Sequence, residues 1–210
     1  MSRIILIGGW RLFWALAALV SVAIAAKLPF VDLHTPQGIF AMVDRGVHYA
    51  LPFFLVAFSA SSLVVLFPGA FSRWLLANRR YFGLTFAVGM LWHFSFLALL
   101  QTRFHKISFS WVIGLDFIGA ALLAAMTVTS FRRLSRWLSP AGWRLLHKTG
   151  VYVIWGIATN IYLGALSWTR GIKAHLAISA LLAAGLLRVA AWAHQRLPRR
   201  GVARATAKER

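Results

Sequence analysis

Six stretches of apolar residues, each long enough to cross a bilayer, recur along the chain and constrain what it can fold into more than any motif does. At 1.5 Å of rise per residue, roughly 20 consecutive apolar residues span roughly 30 Å of hydrocarbon. The stretches run from Leu12 to Phe30, Val47 to Phe67, Tyr81 to Gln101, Ser108 to Ser130, Thr149 to Trp168 and Ile172 to Trp192. With 60% hydrophobic residues and a mean hydropathy of +0.72, little chain is left for a water-soluble domain of ordinary size. The expected fold is an all-α integral membrane protein, a bundle of about six transmembrane helices.

Charge supplies the orientation. Lys and Arg total 23 against 4 acidic residues. They cluster in alternate connections: Arg73, Arg79 and Arg80, then Arg132, Arg133, Arg136, Arg144 and Lys148, then the tail with Arg196, Arg199, Arg200, Arg204, Lys208 and Arg210. The opposite connections carry only Lys27 with Arg45, Arg103 with Lys106, and Arg170 with Lys173. The positive-inside rule puts the richer set and both termini in the cytoplasm, as expected for a multi-pass protein of a bacterial-type inner membrane. The basic segments then meet anionic membrane lipid, and no nucleic-acid partner is expected. One domain is expected over residues 1–194, followed by a basic cytoplasmic tail over 195–210. The first stretch includes the small-residue run Val22-Ala23-Ile24-Ala25-Ala26, as a cleaved signal peptide would, but is read as an uncleaved span because its removal would break the paired topology.

Between the first two spans, Val31 to Arg45 reads as a small external loop. Phe131 to Arg144 reads as an amphipathic stretch at the inner interface, anchored by Trp137 and Trp143. Gly114, Gly119, Ala120 and Ala121 should let the fourth helix approach a neighbour closely. Cysteine is absent, which removes disulfides and thiolate metal sites, so any redox chemistry requires a bound cofactor.

Ionisable and polar groups inside hydrocarbon are costly and therefore point to function. His93, Asp116 and Asn160 stand within the predicted spans, and His147 stands just before the fifth. Neutral imidazole is a strong axial ligand of heme iron. Packing alone also accommodates such a histidine. Asp116 could pair with Arg103 or Lys106, hydrogen-bond a heme partner or carry a proton, with ion pairing the preferred expectation, and Arg188 is expected to extend toward the headgroups. His34 and His105 read as loop residues, His175 and His194 as interfacial.

Between Ala50 and Leu166 the chain resembles the ferric reductase-like transmembrane family, and within it the heme-binding membrane subunits of periplasmic methionine sulfoxide reductase systems. The resemblance rests on Arg79-Arg80-Tyr81-Phe82-Gly83-Leu84 followed by His93, on Thr129-Ser130 with its basic loop, and on Trp143 with Leu146-His147. It implies one or two b-type hemes, with electrons taken from a quinol or a cytoplasmic flavin donor and passed to a separate acceptor. His93 and His147 match two of the family's ligands to heme iron. A third family histidine, thirteen residues after His147, is replaced by Asn160, a poor iron ligand. The outer heme of the family is then five-coordinate here, rebuilt with His48, or lost. A relative without heme, acting as a membrane scaffold or assembly partner, is the competing reading. A transporter is a third, resting only on Asp116 and scattered polar residues, without the paired broken spans of an alternating-access fold.

Overall fold

The computed structural model describes residues 7–105, 111–168 and 171–196. Lys106, Arg170 and the tail beyond Arg196 lie outside the described residues. Within them the order is α1 (Gly9–Ala25), a short 3-10 turn (Leu28–Phe30), α2 (Pro36–Leu66), α3 (Ala70–Phe104), α4 (Trp111–Val128), α5 (Arg132–Ser135), α6 (Pro140–Trp168) and α7 (Ile172–Arg196). No strand occurs among the described residues. By length and composition, four segments are able to cross a membrane: Gly9–Phe30, Pro36–Leu66, Ala70–Phe104 and Ile172–Arg196. Gly114–Val128 is a shorter apolar helix. Large apolar side chains face outward on helices of this kind, as with Trp14, Leu19 and Val22 at 66%, 60% and 65% exposure, which marks a membrane protein.

Several helices begin well before the apolar stretches that define them. Thr35 caps α2 by accepting from the Gly38 amide at 3.2 Å, and Pro36 stands in the first turn. The segment read as an external loop therefore ends at Thr35, and Asp44 and Arg45 are helical. Gly38 has to be glycine, because a β-carbon there would collide with the carbonyl of Asp32. Likewise α6 starts at Pro140, so His147 stands two turns inside a helix.

The tightest packing joins α2 to α3. A β-carbon on Gly46 would lie 2.9 Å from the backbone N and Cα of His93, and one on Gly89 would lie 2.6 Å from the Ala50 Cβ. Gly46 with Ala50, four residues apart, thus forms a small-residue face into which α3 sinks. Around this crossing α1, α2 and α3 share two apolar clusters. One gathers Val20, Ile24, Ile39, Met42, Val43, Phe96 and Leu100, and the other Leu12, Ala60, Leu75 and Phe82. At its start α1 is held by Asn78 of α3, whose Oδ1 accepts from the Gly9 amide at 2.8 Å. Trp92 of α3 donates to the Ser21 hydroxyl at 3.2 Å.

On the other side α4 packs on α6, and α6 on α7, which returns to α2. The small residues of α4 do not make its close contact, contrary to expectation. Gly114 has nothing near its missing side chain, and Gly119 meets only the Ile157 tip at 3.4 Å. The close approach is made from α6, where Gly150 lies against the Met126 side chain. Trp155 fixes α6 to α7 by donating to the Leu181 carbonyl at 2.9 Å.

Arg188 of α7 turns inward, where sequence reading had it reaching for headgroups. Its Nε and Nη2 donate to the carbonyl of Phe58 at 3.0 and 2.6 Å, and its Nη1 to the Tyr152 hydroxyl at 3.1 Å. The guanidinium also lies 4.3 Å from the centre of the Phe58 ring. Three hydrogen bonds and an aromatic face replace the water it gives up.

Candidate functional site

Two cavities open between the α2–α3 pair and the α4–α6 pair. The first, of about 950 Å³, lies where α3, α6 and the arginine-rich connections begin, here the basic end. The second, of about 650 Å³, lies at the far end, between the start of α2 and the end of α3. Phe54, Phe86, Leu123 and Ile154 line both, so a wall of side chains separates them.

His93 and His48 line the far cavity with Asp44, Asp116, Tyr162 and Lys173. The close α2–α3 crossing puts the backbone of His93 against Gly46, and its Nδ1 lies 2.9 Å from the Val43 carbonyl. A carbonyl only accepts, so Nδ1 carries the proton and Nε2 keeps its lone pair. His48 is wired in the same sense. Its Nδ1 meets both the carbonyl of Asp44 at 2.9 Å and its carboxylate at 3.1 Å, one helical turn back. Pro52, with no N–H to offer the His48 carbonyl, weakens the helix ladder at this point.

Tyr162 escaped the sequence reading. It is 6% exposed, its ring meets that of His48 edge-on at 5.6 Å, and its hydroxyl is buried without a hydrogen-bond partner. A buried phenol next to a cavity is an unused donor for whatever fills the space. Asp116 lines the same cavity and makes no ion pair among the described residues. Arg103 instead donates to the Leu33 carbonyl at 3.4 Å, and Lys106 lies outside the described residues.

His147 lines the basic cavity. His93 and His147 therefore stand in separate chambers and do not face one another as a pair. The His147 ring is also wired in the opposite sense. Its Nε2 lies 3.2 Å from the Thr129 hydroxyl, which spends its own proton on the Ala125 carbonyl at 2.7 Å, so Nε2 donates and the lone pair sits on Nδ1. Trp143, one turn earlier, stacks on the ring at 4.2 Å and donates to the Thr129 carbonyl at 3.1 Å. Trp143 is thus a clamp on His147 rather than an interfacial anchor. Trp137, at 78% exposure, has the outward position expected of one.

Asn160 is exposed and lines neither cavity. Helix geometry accounts for this: thirteen residues turn an α-helix about 140° away from its starting face, whereas fourteen bring it back to within about 40°. Ile161 and Ala158 accordingly line the far cavity, while Asn160 points elsewhere. His34, His105, His175 and His194 are all exposed. Among the described residues, no group of three or more His, Cys, Asp or Glu gathers to hold a bare metal ion.

A scan against protein-family models, a search of curated proteins and a search of solved structures each returned no match. Fold and composition define the class: an all-helical membrane protein whose described residues line the two cavities above.

Proposed function

We propose that this chain is a ferric reductase-like membrane protein that holds a b-type heme in the far cavity and relays electrons from a quinol or a cytoplasmic flavin donor to a separate acceptor. The observation that carries the reading is the His93 ring. Its Nδ1 proton is engaged by the Val43 carbonyl, and its other nitrogen is left to act as a base in a cavity of about 650 Å³. A metal-ligating imidazole is oriented in this way, its second nitrogen donating to a carbonyl or carboxylate.

The residues around the cavity fit a heme. The space falls within the roughly 300–1,000 Å³ of small-molecule and cofactor sites, and most of its wall is apolar. His93 would hold the iron, with His48 the candidate for a second ligand, its Nδ1 likewise tied to oxygen. The buried Tyr162 hydroxyl is free to donate to polar edges of the group. Bound there, heme supplies one-electron chemistry at its iron. The chain's own part is to hold the ring of His93 in one tautomer, exclude water with Leu51, Met90 and Ile157, and keep Asp44 behind His48. His147 is the weaker ligand candidate, since its Nε2 is committed to Thr129.

The topology that goes with this reading has six spans, both termini in the cytoplasm and the basic end facing inward, in a bacterial-type cytoplasmic membrane. Supporting it are the concentration of arginine at one end and the packing of α4 and α6 beside the four longer apolar helices.

The test is a reduced-minus-oxidised absorption spectrum of the purified protein, expressed with ample heme, beside His93→Ala and His147→Ala variants. A b-type signal that disappears with His93 and survives the loss of His147 is expected. A well-folded protein without heme would instead favour a heme-free membrane scaffold.

A further inference from the structure

The basic cavity has a different chemistry, and it does not depend on the heme reading. Arg79, Arg80, Arg144, Lys148 and Arg188 all line it, and no carboxylate does. Asp32, Asp44 and Asp116 belong to the far end of the bundle, and Glu209 lies outside the described residues. Arg188 is satisfied by the Phe58 carbonyl and Tyr152. Arg79, Arg144 and Lys148 are exposed at its mouth and form no hydrogen bond or ion pair among the described residues, and the Nε of Arg80 is buried without a hydrogen-bond partner, its guanidinium lying over the rings of Trp10 and Tyr81. Cations converging on a partly apolar space repel one another, and a buried guanidinium N–H with no acceptor is costly. Both penalties are relieved by an anion from outside the chain.

We propose that this cavity binds an anionic phospholipid, with its phosphate among the arginines and its acyl chains against the apolar wall. Guanidinium groups match phosphate in charge and geometry, and basic pockets between membrane helices take anionic headgroups. A free phosphate would meet the cations equally well but would leave Phe54, Phe86, Leu123 and Ile154 facing empty space. An acyl chain covers them. The volume of about 950 Å³ accommodates a headgroup with the first part of its chains.

Native mass spectrometry of the full chain in mild detergent tests this, with dioleoylphosphatidylglycerol, dioleoylphosphatidylcholine and inorganic phosphate offered separately. The wild type is expected to retain phosphatidylglycerol over phosphatidylcholine. The triple variant Arg79→Gln/Arg144→Gln/Lys148→Gln should lose that retention by roughly a hundredfold, on the basis of about fivefold for each basic residue. A control triple, Arg73→Gln/Arg133→Gln/Arg136→Gln, removes equal charge from positions that are as exposed as those three but do not line the cavity, and should stay within about twofold of wild type. Equal loss in both triples would reduce the effect to general charge attraction and overturn the proposal. So would unchanged retention in the cavity triple. Phosphate adducts without phosphatidylglycerol retention would assign the site to an aqueous anion and overturn the lipid assignment. Helical circular dichroism on the same samples separates loss of the site from loss of the fold. If the triple unfolds, Lys148→Gln alone must lower retention about fivefold for the proposal to stand.

Discussion

The two cavities share a wall yet are built on opposite rules. In the far cavity the histidine rings are held at Nδ1 by oxygen acceptors, and the surroundings carry charges of both signs, Asp44 and Asp116 with Lys173. In the basic cavity the histidine is held at Nε2 by a hydroxyl, is pressed flat against Trp143, and is surrounded by cations without a carboxylate. The presence of an imidazole therefore says less than which nitrogen it has spent. A ring tied at Nδ1 projects its free nitrogen away from its own backbone, toward a ligand. One tied at Nε2 keeps its free nitrogen close to the helix that carries it.

That contrast can be broken most decisively at His93. His93→Ala should remove bound heme from the purified protein, whereas His147→Ala should leave most of it, as read by absorbance in the Soret region. Equal losses would erase the distinction between the cavities. Next in size is the α2–α3 crossing. Gly46→Val puts side-chain atoms where the His93 backbone lies, so overpacking should cost about 1–3 kcal/mol and lower the thermal midpoint as well as heme content.

Asp44→Asn sharpens the role of His48. Removing the carboxylate behind a ligating ring weakens metal affinity by about tenfold or more, so heme retention should fall on dilution if His48 binds iron and hold steady if it does not. Thr129→Val removes the acceptor of the His147 Nε2 proton. It should cost about 1 kcal/mol of stability in a thermal melt without moving the heme spectrum. Asn160→Ala should change neither property, staying within about 0.5 kcal/mol of wild type, because the side chain lines no cavity.

Much of the helical architecture is legible in the residues, because apolar stretches of bilayer length have few other ways to bury their backbone polar groups. Helix starts are less so. Thr35-Pro36 and Ser139-Pro140 are start signals in the chain, but the apolar criterion that finds spans passes over them. His93 stands out as an ionisable group among apolar neighbours, and the link from Asp44 to His48 follows from their four-residue spacing. The outward turn of Asn160 could have been had from 100° per residue, and a family spacing obscured it. Tyr162 and Arg188 were out of reach. Whether a tyrosine near a helix end is an interfacial anchor or a cavity wall, and whether an arginine extends to headgroups or caps a carbonyl of another helix, depends on partners more than a hundred residues away, as Phe58 is from Arg188.

The hydrogen bond from Gly9 to Asn78 spans 69 positions, and the one from Trp92 to Ser21 spans 71. In a chain made from its amino end, α1 leaves the ribosome on the order of ten seconds before the residues that fasten it exist. During that interval the first helix has only lipid and α2 as neighbours, and its opening turn has no side chain to receive the Gly9 amide. Biogenesis thus sets an order on this protein: its earliest helix is seated late, and the arrival of α3 completes the three-helix unit against which the cavities are later built.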